Sequence, residues 1–201
     1  MHRILPMGMF ILLTVQGGYP QLPPAAVHPR RLSASIREVV GVTVPIRWES
    51  WPLQKEHRER LRERLRVRRI PFDTLTIGHL VRDSLHLDIL LGIAPSKAEL
   101  FIFAVYLDPH RGSVFEVDVL DYRESYGGEI DYIVFRRQFR GKQSPEDIIF
   151  RKTIRNISGA TISARSLTRG VRRLLMLYRF MSTRYDLHPL REFNNGNRQP
   201  K

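Results

Sequence analysis

The chain has 201 residues, a formal net charge of +13 and no cysteine. Its length indicates one domain with a leader or tail, and a hydrophobic content of 42% is enough to bury a core. The lack of cysteine excludes disulfides, thiolate catalysis, iron–sulfur clusters and Cys-ligated zinc. The positive charge allows nucleic acid, an anionic cofactor, anionic lipid headgroups or an acidic redox protein as the partner.

The N-terminus has the pattern of an export signal. Residues 1–3 form a short positive region, and residues 4–15 form an apolar run as long as a signal-peptide core but too short to span a bilayer. We predict a signal peptide over residues 1–17 and hence a protein of the periplasm or cell envelope. The alternative, kept open by Pro6, is an apolar N-terminal strand or helix of a cytosolic domain.

Composition then divides the rest of the chain into three parts. Residues 18–30 are rich in proline and predict a linker clear of the fold. One domain is expected over residues 31–184, and the polar residues 185–201 predict a flexible tail. Near the start of the domain, residues 41–46 suggest a short edge strand, because Pro45 excludes a central one.

Residues 51–69 predict a helix crowded with charge. Its arginines favour a nucleic-acid-binding module, which is the hypothesis of a different class for this chain. Interleaved glutamates weaken attraction to phosphate, and no aromatic stacking set or zinc-finger spacing accompanies them. A solvated helix face with no nucleic acid bound is therefore the favoured interpretation.

The middle of the chain predicts a sheet. Residues 85–93 alternate in part, and residues 100–107 are almost continuously apolar, as in a strand covered on both faces. In the return strand, 114–119, alternation predicts that Phe115, Val117 and Val119 point inward, with Glu116 and Asp118 in water.

Helices follow the sheet. Residues 130–140 and 162–181 carry helical apolar spacing, and Gly170 within the second helix suggests a close packing contact. The predicted fold class is α+β, a small antiparallel sheet flanked by helices.

The tetrapeptide Ser158-Gly159-Ala160-Thr161 lies just before the last predicted helix. Small and hydroxylated residues there suit a helix cap. They also suit a phosphate site, because the glycine allows close approach and the helix N-terminus offers free N–H groups. Scattered histidines and carboxylates give no metal site, and no catalytic motif is present in the sequence.

The order of motifs resembles the FMN-binding domain family. Arg123-Glu124-Ser125 ends a predicted strand before a loop with two glycines, and the Ser-Gly-Ala-Thr motif precedes a helix. The resemblance covers about residues 80–176. This family includes the covalently flavinylated subunits of sodium-pumping NADH:quinone reductase and of Rnf complexes, and related exported flavoproteins.

The resemblance implies an FMN cofactor joined by a phosphoester to Thr161, installed by a dedicated flavin transferase. It also implies redox partner proteins in the cell envelope, some of them membrane-bound. The cofactor-binding residues it implies are Thr161, Ser158, Gly159, Ala160, Ile162, Ser163, Glu124, Ser125, Tyr126 and Gly127.

The function predicted on this basis is an exported electron-transfer flavoprotein, a carrier more than an enzyme with its own substrate. Family members often have an acidic residue where this chain has Arg155. That difference keeps open a non-covalent FMN-binding protein or a small flavin reductase as the alternative.

Overall fold

The computed structural model describes residues 21–68, 70 and 72–185. Within these residues five strands form one antiparallel sheet in chain order, β1 to β5. The strands are β1 (Arg47–Pro52), β2 (Thr74–Arg82), β3 (Leu85–Pro95), β4 (Leu100–Asp108) and β5 (Ser113–Asp121). The helices are α1 (Pro29–Val40), α2 (Lys55–Leu65), α3 (Ile133–Arg136) and α4 (Thr161–Tyr185). The predicted α+β class is confirmed.

Both faces of the sheet are covered. One core cluster lies between the sheet and the side chains of α2, α4 and the 130–157 segment, and it includes Phe103, Phe135 and Leu175. A second cluster lies between the opposite face and α1, and it includes Ile36 and Tyr106. Burial on both faces explains why β4 is a nearly continuous apolar run.

The segment that leads into the domain packs against the sheet, so the predicted linker over 18–30 is wrong for its described part. Gln21 pairs with Gly92 of β3, and Val27 is buried beside α1. Helix α1 begins at Pro29, a favoured first residue, and ends at Val40, followed by the cap residue Gly41 with φ of 86°. The edge strand predicted over residues 41–46 is also wrong in position, because the first strand, β1, begins only at Arg47.

Strand β5 corrects the predicted alternation. Glu116 and Asp118 are buried, whereas Phe115 is 36% exposed. Asp118 pairs with Arg136, which also lies 2.5 Å from Glu38 of α1, and Glu116 pairs with Arg140. These carboxylates can leave water because the 136–140 segment brings an arginine to each of them.

The helix predicted over 130–140 is interrupted. A 3-10 turn at Gly128–Asp131 is followed by Tyr132 in extended conformation, then α3 and a second 3-10 turn at Arg137–Phe139. Phe135 and Phe139 still meet edge to face, with ring centroids 5.8 Å apart. The break leaves Tyr132, Ile133 and Val134 exposed beside the start of α4.

Helix α4 packs tightly on the sheet. A Cβ added at Gly170 would lie 2.5 Å from Cζ of Phe103, which confirms the predicted close contact. Among the described residues, no helix is long and apolar enough to cross a membrane. The predicted signal peptide lies outside the described residues, as does the predicted tail beyond Tyr185.

Candidate functional site

The loop after β5 and the first turn of α4 are held together by hydroxyl groups. The hydroxyl of Tyr122 donates to the carbonyl of Tyr126 at 2.7 Å and lies 2.9 Å from Oγ of Ser163. Ser163 is buried, and burial raises the pKa of Tyr122, with its hydrogen bond to Ser163 acting in the opposite direction. The structure thus brings together three of the predicted site residues, Ser163, Tyr126 and Gly127.

Two glycines let these segments approach each other. Gly127 has φ of 89°, and a Cβ there would lie 2.4 Å from the Tyr122 hydroxyl. Gly159 has φ of 84°, and a Cβ there would lie 2.6 Å from Oε1 of Glu129. Both positions require a left-handed backbone and have no room for a side chain, so only glycine fits without movement.

The motif residues have different surroundings. Ala160 is buried in the core below the motif, whereas Ser158 and Gly159 are exposed. Thr161 is the first residue of α4, and its Oγ1 accepts a hydrogen bond of 2.9 Å from Nδ2 of Asn156. The first turn of α4 contains no acidic residue, and the nearby carboxylate comes instead from Glu129, which lies against Gly159.

Glu124 and Ile162 were both predicted to contact the cofactor, and the structure gives them different surroundings. Oε1 of Glu124 accepts from the hydroxyl of Ser96 and from the N–H groups of Ala98 and Glu99, the last two at 2.7 Å. The hydrogen bond from Ser96 and those from the backbone hold the pKa of Glu124 below its usual value. Glu124 therefore holds the β3–β4 turn rather than the loop, while Ile162 is exposed beside Thr161.

Sequence reasoning missed two residues that the structure places against the motif. Asn156 donates a hydrogen bond to Oγ1 of Thr161. Glu129 reaches Gly159 from the loop, and its Oε2 is buried with no hydrogen-bond partner among the described residues. The contact of Glu129 joins segments that folding brings together, and the contact of Asn156 depends on how its side chain is turned five residues before Thr161, so residue spacing gives no signal for either.

A cleft of about 360 Å³ opens beside the motif, and we call it the Asn156 cleft. Its walls come from the α3 region and from the segment that leads into the motif. Its lining residues are Val134, Phe135, Gln138, Arg155, Asn156 and Ile157. The volume is within the range of small-molecule sites.

Comparison with known proteins assigns this region to a family. Residues 102–176 match the FMN-binding domain family model. This segment, less than half of the chain, is similar to FMN-binding domains. No curated protein and no solved structure matches the chain.

The matched segment runs from β4, through the loop and the cleft, into α4. It contains every residue of the predicted site, and it indicates FMN as the cofactor. The match begins at Ile102, so the predicted resemblance before that position is not part of it. Strands β1 to β3 and helices α1 and α2 lie outside the matched segment and complete the sheet and both cores.

The local structure fits a flavin phosphate. Helix α4 presents its N-terminus directly after the motif, at Thr161. The unpartnered Oε2 of Glu129 is an acceptor suited to hydroxyl groups such as those of the ribityl chain.

Proposed function

We propose that this protein is an exported electron-transfer flavoprotein that carries FMN through a phosphoester to Oγ1 of Thr161. The observation that carries the proposal is the position of this hydroxyl, at the N-terminus of α4 and within 2.9 Å of the Asn156 amide. Bound FMN would supply the redox chemistry, so the protein's task is to hold and orient it.

The residues around Thr161 suit both the free hydroxyl and its ester. The Asn156 amide donates to Oγ1, and an ester oxygen still accepts a hydrogen bond. The free N–H groups of the first turn of α4 favour the negative charge that a phosphodiester retains. Ser158 is exposed one turn away and can donate a hydrogen bond to the same phosphate.

Attachment requires a flavin donor whose phosphate is activated as an anhydride. Oγ1 of Thr161 forms the new bond to phosphorus as the anhydride P–O bond breaks. The other phosphate group leaves with the bonding electrons, and the threonine proton passes to a base of the flavin transferase. The hydrogen bond of Oγ1 of Thr161 comes from the Asn156 amide, which cannot act as a base, so the proposal includes a separate transferase as the catalyst.

The test is expression with a flavin transferase, followed by intact mass measurement and by in-gel flavin fluorescence after denaturation. The wild type should carry one FMN moiety, Thr161→Ala should carry none, and Thr161→Ser should retain the modification because it keeps the hydroxyl. Ser158→Ala is the matched control for loss of a hydroxyl from the same motif. An unmodified mass for a wild-type protein that purifies yellow would replace the covalent proposal with non-covalent FMN binding, the alternative suggested by Arg155.

Export and envelope partners form the second part of the proposal, supported by the N-terminal sequence pattern. Fractionation of the native host with N-terminal mass analysis tests it. Loss of about the first 17 residues, together with recovery from the envelope fraction, is expected. A full-length protein in the cytosolic fraction would contradict it.

The nucleic-acid hypothesis rests on helix α2, two of whose arginines form ion pairs within the protein. Arg60 lies 2.6 Å from Glu56 one turn away, and Arg58 pairs with Asp73. These ion pairs reduce the charge available to phosphate. We therefore assign α2 to the protein's own surface and propose no nucleic-acid partner.

A further inference from the structure

Large apolar side chains are left exposed around the flavin motif. Of the seven large hydrophobic residues that are exposed in the described part of the chain, five lie on the segments next to the motif. These five are Tyr126, Tyr132, Ile133, Val134 and Ile162. An apolar group of this kind beside a concave cleft marks a binding surface.

The hydroxyl of Thr161 and that of Ser163 are held from different sides. Ser163 contacts Tyr122 of the loop after β5, and it is buried there. Thr161 instead accepts from Asn156, which lines the Asn156 cleft. A group attached to Oγ1 of Thr161 therefore starts next to this cleft.

The cleft has fixed walls with apolar and polar parts. Oε1 of Gln138 accepts from the N–H of Arg155 at 2.7 Å, and Nε2 of Gln138 donates to the carbonyl of Arg155 at 3.3 Å. These two bonds join the α3 region to the segment before the motif. Val134 is 74% exposed, and with Ile157 it gives the cleft an apolar surface beside the polar groups of Gln138, Arg155 and Asn156.

We infer that the Asn156 cleft binds the isoalloxazine ring of the flavin, with Val134 and Ile157 against the ring. The inference rests on the proposed function, because it uses FMN attached at or bound beside Thr161. An aromatic ring with polar edges matches a cleft that combines an apolar surface with amide and guanidinium groups. Tyr126 on the loop after β5, 83% exposed, is the competing contact for the ring.

The test uses the protein expressed with a flavin transferase. Intact mass gives flavin occupancy, and iodide quenching of flavin emission in the folded protein gives exposure of the ring. Val134→Asp removes the apolar contact and places a carboxylate in the cleft, which should raise the quenching constant about twofold at unchanged occupancy. Val42→Asp is the matched control, because Val42 is an exposed valine in the loop after α1, outside the cleft.

Each outcome decides the inference separately from the proposed function. Equal quenching constants for Val134→Asp and Val42→Asp at full occupancy would overturn the cleft assignment while leaving the flavin on Thr161. A rise in quenching only for Tyr126→Ser would place the ring on the loop instead.

A second measurement covers the case in which the mass shows no covalent flavin. Free FMN is then titrated into the same variants, and Val134→Asp should weaken its binding about tenfold relative to Val42→Asp. Equal affinities, or no binding of FMN to either variant, would overturn the inference. Matching thermal midpoints for the two variants would show that loss of fold is not the cause.

Discussion

Replacing Gly159 by alanine should destabilise the protein through two separable effects. The first is the backbone, since alanine at φ of 84° costs about 1–2 kcal/mol relative to glycine. The second is contact, because the new Cβ would lie 2.6 Å from Oε1 and 3.1 Å from Cδ of Glu129. Moving that carboxylate adds about 1 kcal/mol, the size of a modest overpacking strain.

Gly141→Ala provides the matched control. Gly141 also has a positive φ, 74°, but nothing lies within 4 Å of a Cβ built there. It should show the backbone cost alone, about 1–2 kcal/mol. The difference between the two variants is then the contact with Glu129.

Urea denaturation of the two variants measures both costs. Gly159→Ala should lose about 2–3 kcal/mol, which corresponds to a fall in Tm of about 5–10 °C for a chain of this size. Adding Glu129→Ala should remove the contact cost and leave the backbone cost. Equal losses for Gly159→Ala and Gly141→Ala, unchanged by Glu129→Ala, would refute the packing of the loop against the motif.

Three further predictions follow from other contacts. Gly170→Ala gains about 1 kcal/mol of helix propensity, but the new Cβ would collide with the ring of Phe103. We expect the free energy of unfolding, measured by urea denaturation, to fall by about 1–2 kcal/mol. A stabilised variant would contradict the contact. The lowered pKa of Glu124 means that its stabilising contribution is complete above 4.5, its usual value, and is lost as pH falls through the folded value. Glu124→Gln should therefore flatten the acid side of the stability profile, and an unchanged slope between about pH 3 and pH 5 would disagree. Arg136→Met leaves the buried carboxylate of Asp118 without its cation and should cost about 3–5 kcal/mol; Asp118→Asn in the same protein should restore part of it, as thermal unfolding would show.

The elements that could be predicted are those whose periodicity reports burial. The apolar run in β4 and the stripe of α4 gave the sheet and the closing helix, because each pattern follows from which faces are covered. The close contact at Gly170 could also be predicted, because a glycine inside a helix is usually explained by tight packing, here against Phe103. The packing of residues 21–30 against the sheet could not be predicted in this way, because a high proline content does not indicate what a segment packs against.

The β5 carboxylates show where alternation misleads. Glu116 and Asp118 look like the water-facing side of a strand, yet both are buried. Their arginine partners come from residues 136 and 140, and α1 covers the same face of the sheet. Charge on a strand indicates solvent only when no element with complementary charge packs there.

The sequence by itself determined the class of fold, the resemblance of residues 102–176 to the FMN-binding domain family and the motif at the start of α4. These depend on local order, namely apolar periodicity and the small residues before a helix. Only the tertiary structure decided that Glu124 holds the β3–β4 turn, and that Asn156 and Glu129 contact the motif. Such contacts join segments distant in the chain, or join side chains whose direction is set by packing, so no spacing in the sequence encodes them.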